Sequence, residues 1–370
     1  MVQQIPFSGI ENPINFRNYL HNGSYQIAEI GTSFADPTDQ TWGLDRWGMF
    51  NSNDGAATWS QETATPSGVG AYNSMKVTVT SADTSIGSSQ YLATWQGIEG
   101  QVLRRAGLGT SGSKKLTLSF WVKSSLTGTY CVSLRNAAVD RSFVREYTVS
   151  SADTWEKKQV TFDAETSGTW VVTNALSAYL TFALSMGSGF QGTADSWQTS
   201  NVTATSNQAN LMASTHNWSI ANCQLEDGDT ASDFENLPFD VELQRCQRYR
   251  RLLKMSGIHY TYQFSTNWSR ANPTYANVGN EMRTLPSASW LSATPTYDDA
   301  TQTVAADENK FRWGYNGATN DTSPSSTLGI DNIGFYSLSV YNNGINHSSD
   351  GKSGFVIWAK QSAIVLSAEI

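Results

Sequence analysis

A two-residue alternation of apolar and polar side chains is the feature that most limits what this chain can fold into. The run KLTLSFWVK at residues 115–123 places Leu116, Leu118, Phe120 and Val122 on one phase and polar side chains, with one tryptophan, on the other. Successive side chains of a β-strand point to opposite faces of a sheet. The run therefore predicts a strand with one buried face.

The same alternation recurs along the first two thirds of the chain. In the run YCVSL, Tyr130, Val132 and Leu134 are predicted to face inward, and Thr127 with Gly128 predicts a hairpin turn before it. Further strands are predicted at residues 75–79, 90–95, 159–162, 178–186 and 217–220. Short strands separated by Gly, Asp and Ser turns are typical of a β-sandwich or jelly roll, which we place at residues 21–237.

Composition excludes several other classes of protein. Charged residues make up 15% of the 370 residues and aromatic residues 12%, whereas an ordinary soluble domain has about 25% charged residues. Abundant aromatic side chains with modest charge argue against disorder, and the scarcity of strong helix formers argues against a helical bundle. The net charge of −8 disfavours nucleic acid as a partner, since such binding needs basic side chains. No apolar run is long enough to insert into a membrane.

The sequence pattern changes from strand-like to helix-like after residue 237. The segment DVELQRCQRYRRLLK at residues 240–254 lacks Gly, Pro, Ser and Thr, and its apolar residues recur at helical spacing. We predict a connecting α-helix at residues 238–255, with Asp240 as its N-cap. The helix could pack on a sandwich or meet its symmetry mates on an oligomer axis. Alternation returns at residues 256–370, which predicts a smaller C-terminal β-sandwich. The predicted fold class is thus all-β.

No pattern of catalytic or metal-binding residues stands out. The four histidines lie in no catalytic context, and no nucleophile elbow, phosphate loop or dinucleotide motif is present. The three cysteines form neither a disulfide framework nor a zinc-site spacing. The acidic cluster at residues 226–229 and the acidic pair at 298–299 fit turns better than calcium sites. We therefore predict no catalytic residue, metal or cofactor.

Outward-facing aromatic side chains are the best candidates for a binding site. Trp121 and Tyr179 lie on the polar phases of strands whose other phases are apolar. A large aromatic side chain in mid-sheet needs a covering loop, a partner subunit or a ligand. Sugars are suitable ligands because aromatic rings stack on their C–H faces while polar side chains bind their hydroxyl groups. Trp42, Trp47 and Trp59 are predicted to lie in loops, and either explanation applies to them as well.

Four local patterns resemble bacteriophage tail-fibre and other virion structural proteins. The third pattern, a junction between domains, is the most specific of the four. The patterns are NGSYQIAEIGTSF at residues 22–34 with DRW at 45–47, the segment from LSFWVKS at 118–124 to WEKKQVTF at 155–162, the junction QLEDG at 224–228 with FE at 234–235 and ELQRCQRY at 242–249, and MRTLPS at 282–287.

This resemblance implies a jelly roll like that of carbohydrate-binding modules, covering residues 21–237. Two positions depart from the family pattern. Arg250 replaces the second Tyr of the family's ELxxCQRYY junction, and Gln26 replaces a Glu that often helps to hold a structural Ca²⁺. The resemblance therefore does not extend to a metal site.

The resemblance implies a tail fibre that contributes to host attachment and recognition of a surface glycan. It also implies a homo-oligomer, most commonly a trimer. Residues 1–20, with two prolines, are expected to form a leader arm that attaches to other tail or baseplate proteins. The N-terminus lacks the features of a secretory signal, so we expect assembly in the host cytoplasm, release on lysis and location in the virion. A purely structural capsid, collar or baseplate protein is the alternative, and a polysaccharide depolymerase is a third.

Overall fold

Two compact units, residues 1–242 and 243–370, make up the chain. The computed structural model describes residues 16–254, 257–265, 268–271, 282, 287–290, 296–297, 310–315, 327–331, 339–343, 353–358 and 363–369.

The first unit is a sandwich of two antiparallel sheets. One sheet has six strands in the order β1-β4-β5-β13-β7-β10, and the other has seven in the order β12-β9-β8-β11-β6-β3-β2. The prediction of an all-β chain with an N-terminal jelly-roll sandwich is confirmed. The strands are β1 (Ser33–Ala35), β2 (Thr41–Trp42), β3 (Gly48–Ser52), β4 (Ala56–Glu62), β5 (Ser74–Ser81), β6 (Tyr91–Glu99), β7 (Leu116–Ser124), β8 (Gly128–Asn136), β9 (Ser142–Val149), β10 (Glu156–Phe162), β11 (Leu176–Met186), β12 (Trp197–Gln198) and β13 (Asn217–Asp227).

The core between the two sheets follows the alternation of the sequence. The four apolar residues of β7 that share one phase are all buried in this core, as are Tyr130, Val132 and Leu134 of β8. Burial of this continuous apolar surface is the main force that holds the two sheets together. The predicted inward faces of β7 and β8 are confirmed.

The predicted hairpin at Thr127 and Gly128 is wrong. β7 pairs with β10 and β13 in the six-stranded sheet, whereas β8 pairs with β9 and β11 in the other sheet. The intervening turn carries the chain from one sheet to the other. Strand alternation predicts which face of a strand is buried and leaves its pairing partner open.

The sandwich begins earlier than the predicted leader boundary at residue 20. Tyr19 and Leu20 are buried in the core, and the amide of Tyr19 donates to the carbonyl oxygen of Leu225 at 2.8 Å. Residues 1–15 of the predicted leader arm lie outside the described residues.

The predicted connecting helix is shorter than residues 238–255. Helix α2 spans Phe239–Gln247, so Asp240 lies within its first turn, and Arg250–Lys254 form strand β14. β14 pairs with the strand Ala363–Ser367, and such distant pairing overrides a local helical pattern. Helix α1 spans Gly100–Leu103, and 3-10 turns occupy Arg104–Ala106, Ser188–Phe190 and Leu211–Ala213. In the described part of the chain, every helix is too short or too polar to span a bilayer.

The second unit is also built of strands. Seven of them join into a closed barrel, and β14 forms a separate sheet with β23 and β17. The predicted C-terminal sandwich of two facing sheets is thus replaced by a closed barrel. Strand alternation alone does not specify whether a sheet closes into a barrel. The predicted loop at residues 342–351 lies mostly outside the described residues. The strands are β15 (Gly257–Ser265), β16 (Trp268–Ala271), β17 (Ser287–Trp290), β18 (Thr296–Tyr297), β19 (Lys310–Tyr315), β20 (Thr327–Asp331), β21 (Ser339–Asn343), β22 (Ser353–Trp358) and β23 (Ala363–Ser367).

Candidate functional site

The five aromatic residues singled out from the sequence lie in three different places. Trp47 and Trp59 are each only 1% exposed and belong to the core between the sheets. Trp42 and Tyr179 are partly exposed on the outer face of the seven-stranded sheet. Trp121 is partly exposed on the outer face of the six-stranded sheet.

Trp47 lies in the loop between β2 and β3, as expected, whereas Trp59 lies in strand β4, and burial of both rings leaves neither open to a ligand. The indole Nε1 of Trp47 donates to the carbonyl oxygen of Asn22 at 3.1 Å, and its ring lies 5.1 Å from that of Tyr25. Trp59 is an inward-facing residue of β4. Both are structural parts of the sandwich.

Trp42 and Tyr179 belong to a continuous row of aromatic rings. Trp95 is at its centre, with ring centroids 4.6 Å from Trp42, 5.0 Å from Phe50 and 5.3 Å from Tyr179. The row continues from Phe50 to Tyr91 at 6.0 Å. A further contact of 5.3 Å joins Tyr91 to Phe190. We call these six residues the aromatic row: Trp42, Phe50, Tyr91, Trp95, Tyr179 and Phe190.

A glycine allows Trp95 to lie flat on the sheet. Gly48 of β3 pairs with Trp95 of β6, and a Cβ atom at Gly48 would lie 2.5 Å from Cε2 of the indole. Real side chains do not make contacts this close, so only glycine fits beneath the ring. The indole stacks on Phe50 with an interplanar angle of 18°. Gly48 beneath the indole and Phe50 stacked on it thus fix the position of Trp95.

A loop covers one end of this face. Val202 and Ala204 pack on the small residues Ala93 and Ala183, and Phe190 packs against the same cluster. Tyr179, Phe50, Tyr91 and Trp42 remain partly exposed beyond the loop, while Trp95 is 5% exposed. A loop thus provides part of the cover that we expected for outward aromatic residues, and it leaves rings exposed along the row.

Charged groups border the row at both ends. The guanidinium of Arg135 lies 5.4 Å from the ring centroid of Tyr179. At the Tyr91 end, the phenol donates to Oδ2 of Asp39 at 2.9 Å, and burial together with this carboxylate raises the pKa of Tyr91 to about 12. Two buried polar atoms of this face, Nε1 of Trp95 and Oγ of Ser133, have no hydrogen-bond partner among the residues that the structure describes. Unsatisfied buried groups are uncommon in folded proteins.

Sequence reasoning missed Trp95, Phe50, Tyr91 and Arg135. The strand at residues 90–95 was predicted, and its alternation already placed Tyr91 and Trp95 in one phase. The opposite phase carries Leu92, which is buried in the core. Phasing this strand as β7 and β11 were phased would have identified two of the missing residues. The pairing of β3 with β6, which brings Phe50 to Trp95, cannot be read from alternation.

Trp121 lies in a separate pocket on the opposite sheet. This cavity has a volume of about 290 Å³ and is lined by Trp121, Lys157, Asn222 and the segment 232–236, among others. Asn222 has a left-handed backbone with a φ of 47°, and its buried Oδ1 has no hydrogen-bond partner among the described residues. The pocket is at the small end of the size range of ligand sites, which is roughly 300–1,000 Å³. Because Trp121 and the aromatic row lie on the outer faces of opposite sheets, the thickness of the sandwich separates them.

The junction motif has a structural role in the first unit. Glu226 accepts hydrogen bonds from the amide and hydroxyl of Ser232, and Oε1 of Gln224 accepts from the amide of Glu235 at 2.7 Å. The carboxylate of Glu235 in turn accepts from the amides of Arg17 and Asn18 at 3.0 and 3.1 Å. These bonds fold the segment after β13 back against the start of the sandwich.

A second carboxylate completes this arrangement. Oε1 of Glu242 accepts from the amide of Asn22 at 2.5 Å, while the Asn22 side chain bonds the carbonyl oxygens of Ile27 and Asp45. We call the contacts of Glu235 and Glu242 with the N-terminal segment the clasp. It links the first and third sequence patterns of the resemblance.

The residues described here contain no cluster of three or more His, Cys, Asp or Glu side chains placed to hold a metal ion. The segment 226–229 ends β13 and turns, and Asp227 forms an ion pair with Lys114 at 2.9 Å. The pair Asp298 and Asp299 lies outside the described residues. Cys131, Cys223 and Cys246 are buried, and none of the three forms a disulfide in the described structure.

Comparison with known proteins gave similar folds at low identity. No family model matches the chain, and no curated protein matches it. The enzymatically active domain of tailspike protein 4 of bacteriophage CBA120 is 12% identical, with a TM-score of 0.30. The match covers 57% of this chain and 21% of the tailspike domain, so this chain spans about a fifth of that protein.

In two further comparisons, the match covers almost the whole length of the other protein. A protein of Bacteroides thetaiotaomicron, described as a putative sugar binding protein, is 15% identical over 57% of this chain and 100% of its own, with a TM-score of 0.33. The family 11 carbohydrate-binding module of a Clostridium thermocellum cellulase is 13% identical over 53% and 95%, with a TM-score of 0.28.

Proposed function

We propose that the first unit is a glycan-binding module of a bacteriophage tail fibre, and that it holds a host-surface polysaccharide on the aromatic row. The observation that carries this proposal is the cluster of partly exposed rings around Trp95. The cluster is built onto a sheet, with a glycine floor that positions its central indole.

The chemistry of the row suits a sugar chain. Pyranose rings present C–H faces that stack on aromatic side chains, and their hydroxyl groups need hydrogen-bond partners. The row offers ring faces in its middle and polar groups at its ends, with Arg135 beside Tyr179 and Asp39 beside Tyr91. Weak single sites become effective when many copies act together on one particle.

The virion part of the proposal rests on the resemblance of residues 22–47 and 224–249 to phage tail proteins. The clasp supports it, because the patterned residues Asn22, Glu235 and Glu242 all take part in that one structure. The three reduced, buried thiols are consistent with assembly inside a cell. We further propose a homo-oligomer, joined to other tail proteins through its N-terminal segment, that binds glycan without cleaving it.

A glycan array probed with the full chain tests the proposal. We expect binding to a subset of glycans, and inhibition of phage adsorption by the free protein. Tyr179→Ala removes a partly exposed ring of the row and should weaken binding at least tenfold, at little cost in stability. Trp121→Ala, on the opposite sheet, is the matched control and should bind like the native protein.

Three outcomes would contradict this proposal. Absence of binding to every array member, without any effect on adsorption, would favour the structural virion protein. Loss of binding in Trp121→Ala but not in Tyr179→Ala would move the site to the other sheet. Release of new reducing ends from a bound polysaccharide would indicate a depolymerase.

A further inference from the structure

A buried arginine stands at one end of the aromatic row. Arg135 lies on β8, opposite Tyr179 of β11, and its side chain points to the outer face of the seven-stranded sheet. The residue is only 5% exposed. Its guanidinium is therefore largely removed from water while remaining next to a partly exposed ring of the row.

The hydrogen-bond partners of this guanidinium are all neutral. One terminal nitrogen donates to Oδ1 of Asn201 at 2.5 Å, and the other donates to Oγ1 of Thr181 at 3.1 Å. Its Nε is buried and has no hydrogen-bond partner in the part of the chain that the structure describes. Within the described residues, no carboxylate lies within ion-pair distance of Arg135.

Two other arginines of the same sheet region are compensated. Arg141 forms a close ion pair with the buried carboxylate of Glu165. Arg145 of β9 forms an ion pair with Asp195 at 2.7 Å. Arg145 is more exposed than Arg135 and therefore has less need of a counter-charge. The most buried of the three cations is thus the one without a counter-charge.

Burial of a cation without an opposite charge is costly, and buried charges in proteins are normally paired. Burial lowers the pKa of Arg135 to about 10, which still leaves the guanidinium charged at neutral pH. A guanidinium has five N–H donors, and two of those of Arg135 are used within the described residues. The remaining N–H groups of its terminal nitrogens can bind a carboxylate through short, charge-assisted hydrogen bonds.

We infer that the ligand of the aromatic row is an acidic polysaccharide and that Arg135 binds a carboxylate of one of its uronic or similar acid sugars. This inference rests on the proposed function and names its substrate class. The net charge of −8 disfavours a polyanion at long range, so selectivity for the acid form depends on this local charge. Asp39 at the other end of the row repels a second carboxylate there, which places the acid sugar at the Tyr179 end.

The test compares acidic glycans with neutral counterparts of the same linkage. Alginate, hyaluronan and polygalacturonate oligosaccharides are each measured before and after reduction of their carboxyl groups to alcohols, alongside neutral array glycans. We expect the native chain to bind at least one acid form about tenfold or more tightly than its reduced form. Arg135→Gln should abolish this preference and retain binding to the reduced form. Arg145→Gln, which removes a paired arginine, is the control and should keep the preference.

The outcomes separate this inference from the proposed function. Binding to reduced or neutral glycans alone, or an unchanged acid preference in Arg135→Gln, overturns the inference and leaves glycan binding intact. No binding to any glycan, acidic or neutral, refutes the proposed function itself. Circular dichroism spectra and melting temperatures of both variants show whether a loss of binding arises from misfolding.

Discussion

The glycine beneath Trp95 offers a direct test of how the aromatic row is built. In Gly48→Ala, the new Cβ would lie 2.5 Å from Cε2 and 2.7 Å from both Cζ2 and Nε1 of the indole. Gly48 does not have a left-handed backbone, so the substitution adds only this steric contact. The indole is held by Trp42, Phe50 and Tyr179 and cannot move without displacing them.

Overpacking of this kind costs about 1–3 kcal/mol. For a unit of this size, each kcal/mol lowers the melting temperature by roughly 2–4 °C. Gly48→Ala should therefore unfold several degrees earlier, and it should bind glycan more weakly because Trp95 leaves its position. Gly112→Ala is the control, since the nearest atom to its new Cβ is Oγ1 of Thr110 at an ordinary 3.7 Å.

A double-mutant cycle isolates the cause. In a Trp95→Ala background the clash is absent, so adding Gly48→Ala should change the free energy of unfolding by less than about 0.5 kcal/mol. Urea unfolding of the full chain, followed by circular dichroism, measures all four proteins. If Gly48→Ala lowers the free energy of unfolding equally with and without the indole, Gly48 is not needed to make room for Trp95.

Three further predictions concern the stability of the sandwich. Gly23→Ala places a Cβ 2.1 Å from the backbone carbonyl oxygen of Cys223, so we expect a loss of about 3 kcal/mol or more in urea unfolding. Arg141→Met leaves the carboxylate of Glu165 buried without its partner, which should cost about 3–5 kcal/mol in thermal unfolding. Burial raises the pKa of Tyr130 to about 12, so the stability it contributes is complete below pH 10 and is lost as the pH rises towards 12, which ultraviolet absorbance titration and alkaline unfolding should show.

The local part of this fold could be predicted from the sequence, and the long-range part could not. The buried faces of β7, β8 and β11 follow from alternation, because one phase of each strand is apolar. The segment 250–254 was predicted as helix because its spacing suits a helix, yet it pairs with a strand more than a hundred residues later. That pairing leaves no mark on the local pattern.

The candidate site shows the same division. Tyr179 was identified from its phase alone, and its placement on an outer face is what alternation can predict. The row itself arises because β6, β3 and β11 are neighbours in one sheet although they are far apart in sequence. Trp47 lies in a loop, as expected, but it is buried there and donates to the carbonyl oxygen of Asn22, a contact that strand alternation does not predict.

The clasp brings the entry and the exit of the first unit to one place. Arg17 and Asn18 begin the sandwich, and Glu235, which binds their amides, follows its last strand. Tension applied to the two ends of this unit therefore acts first on the clasp, while the strand ladders of the two sheets stay outside the line of force. A unit with adjacent ends can also be inserted into a loop of another protein with little disturbance of its host. The sandwich is thus suited to exchange between chains as a self-contained cassette.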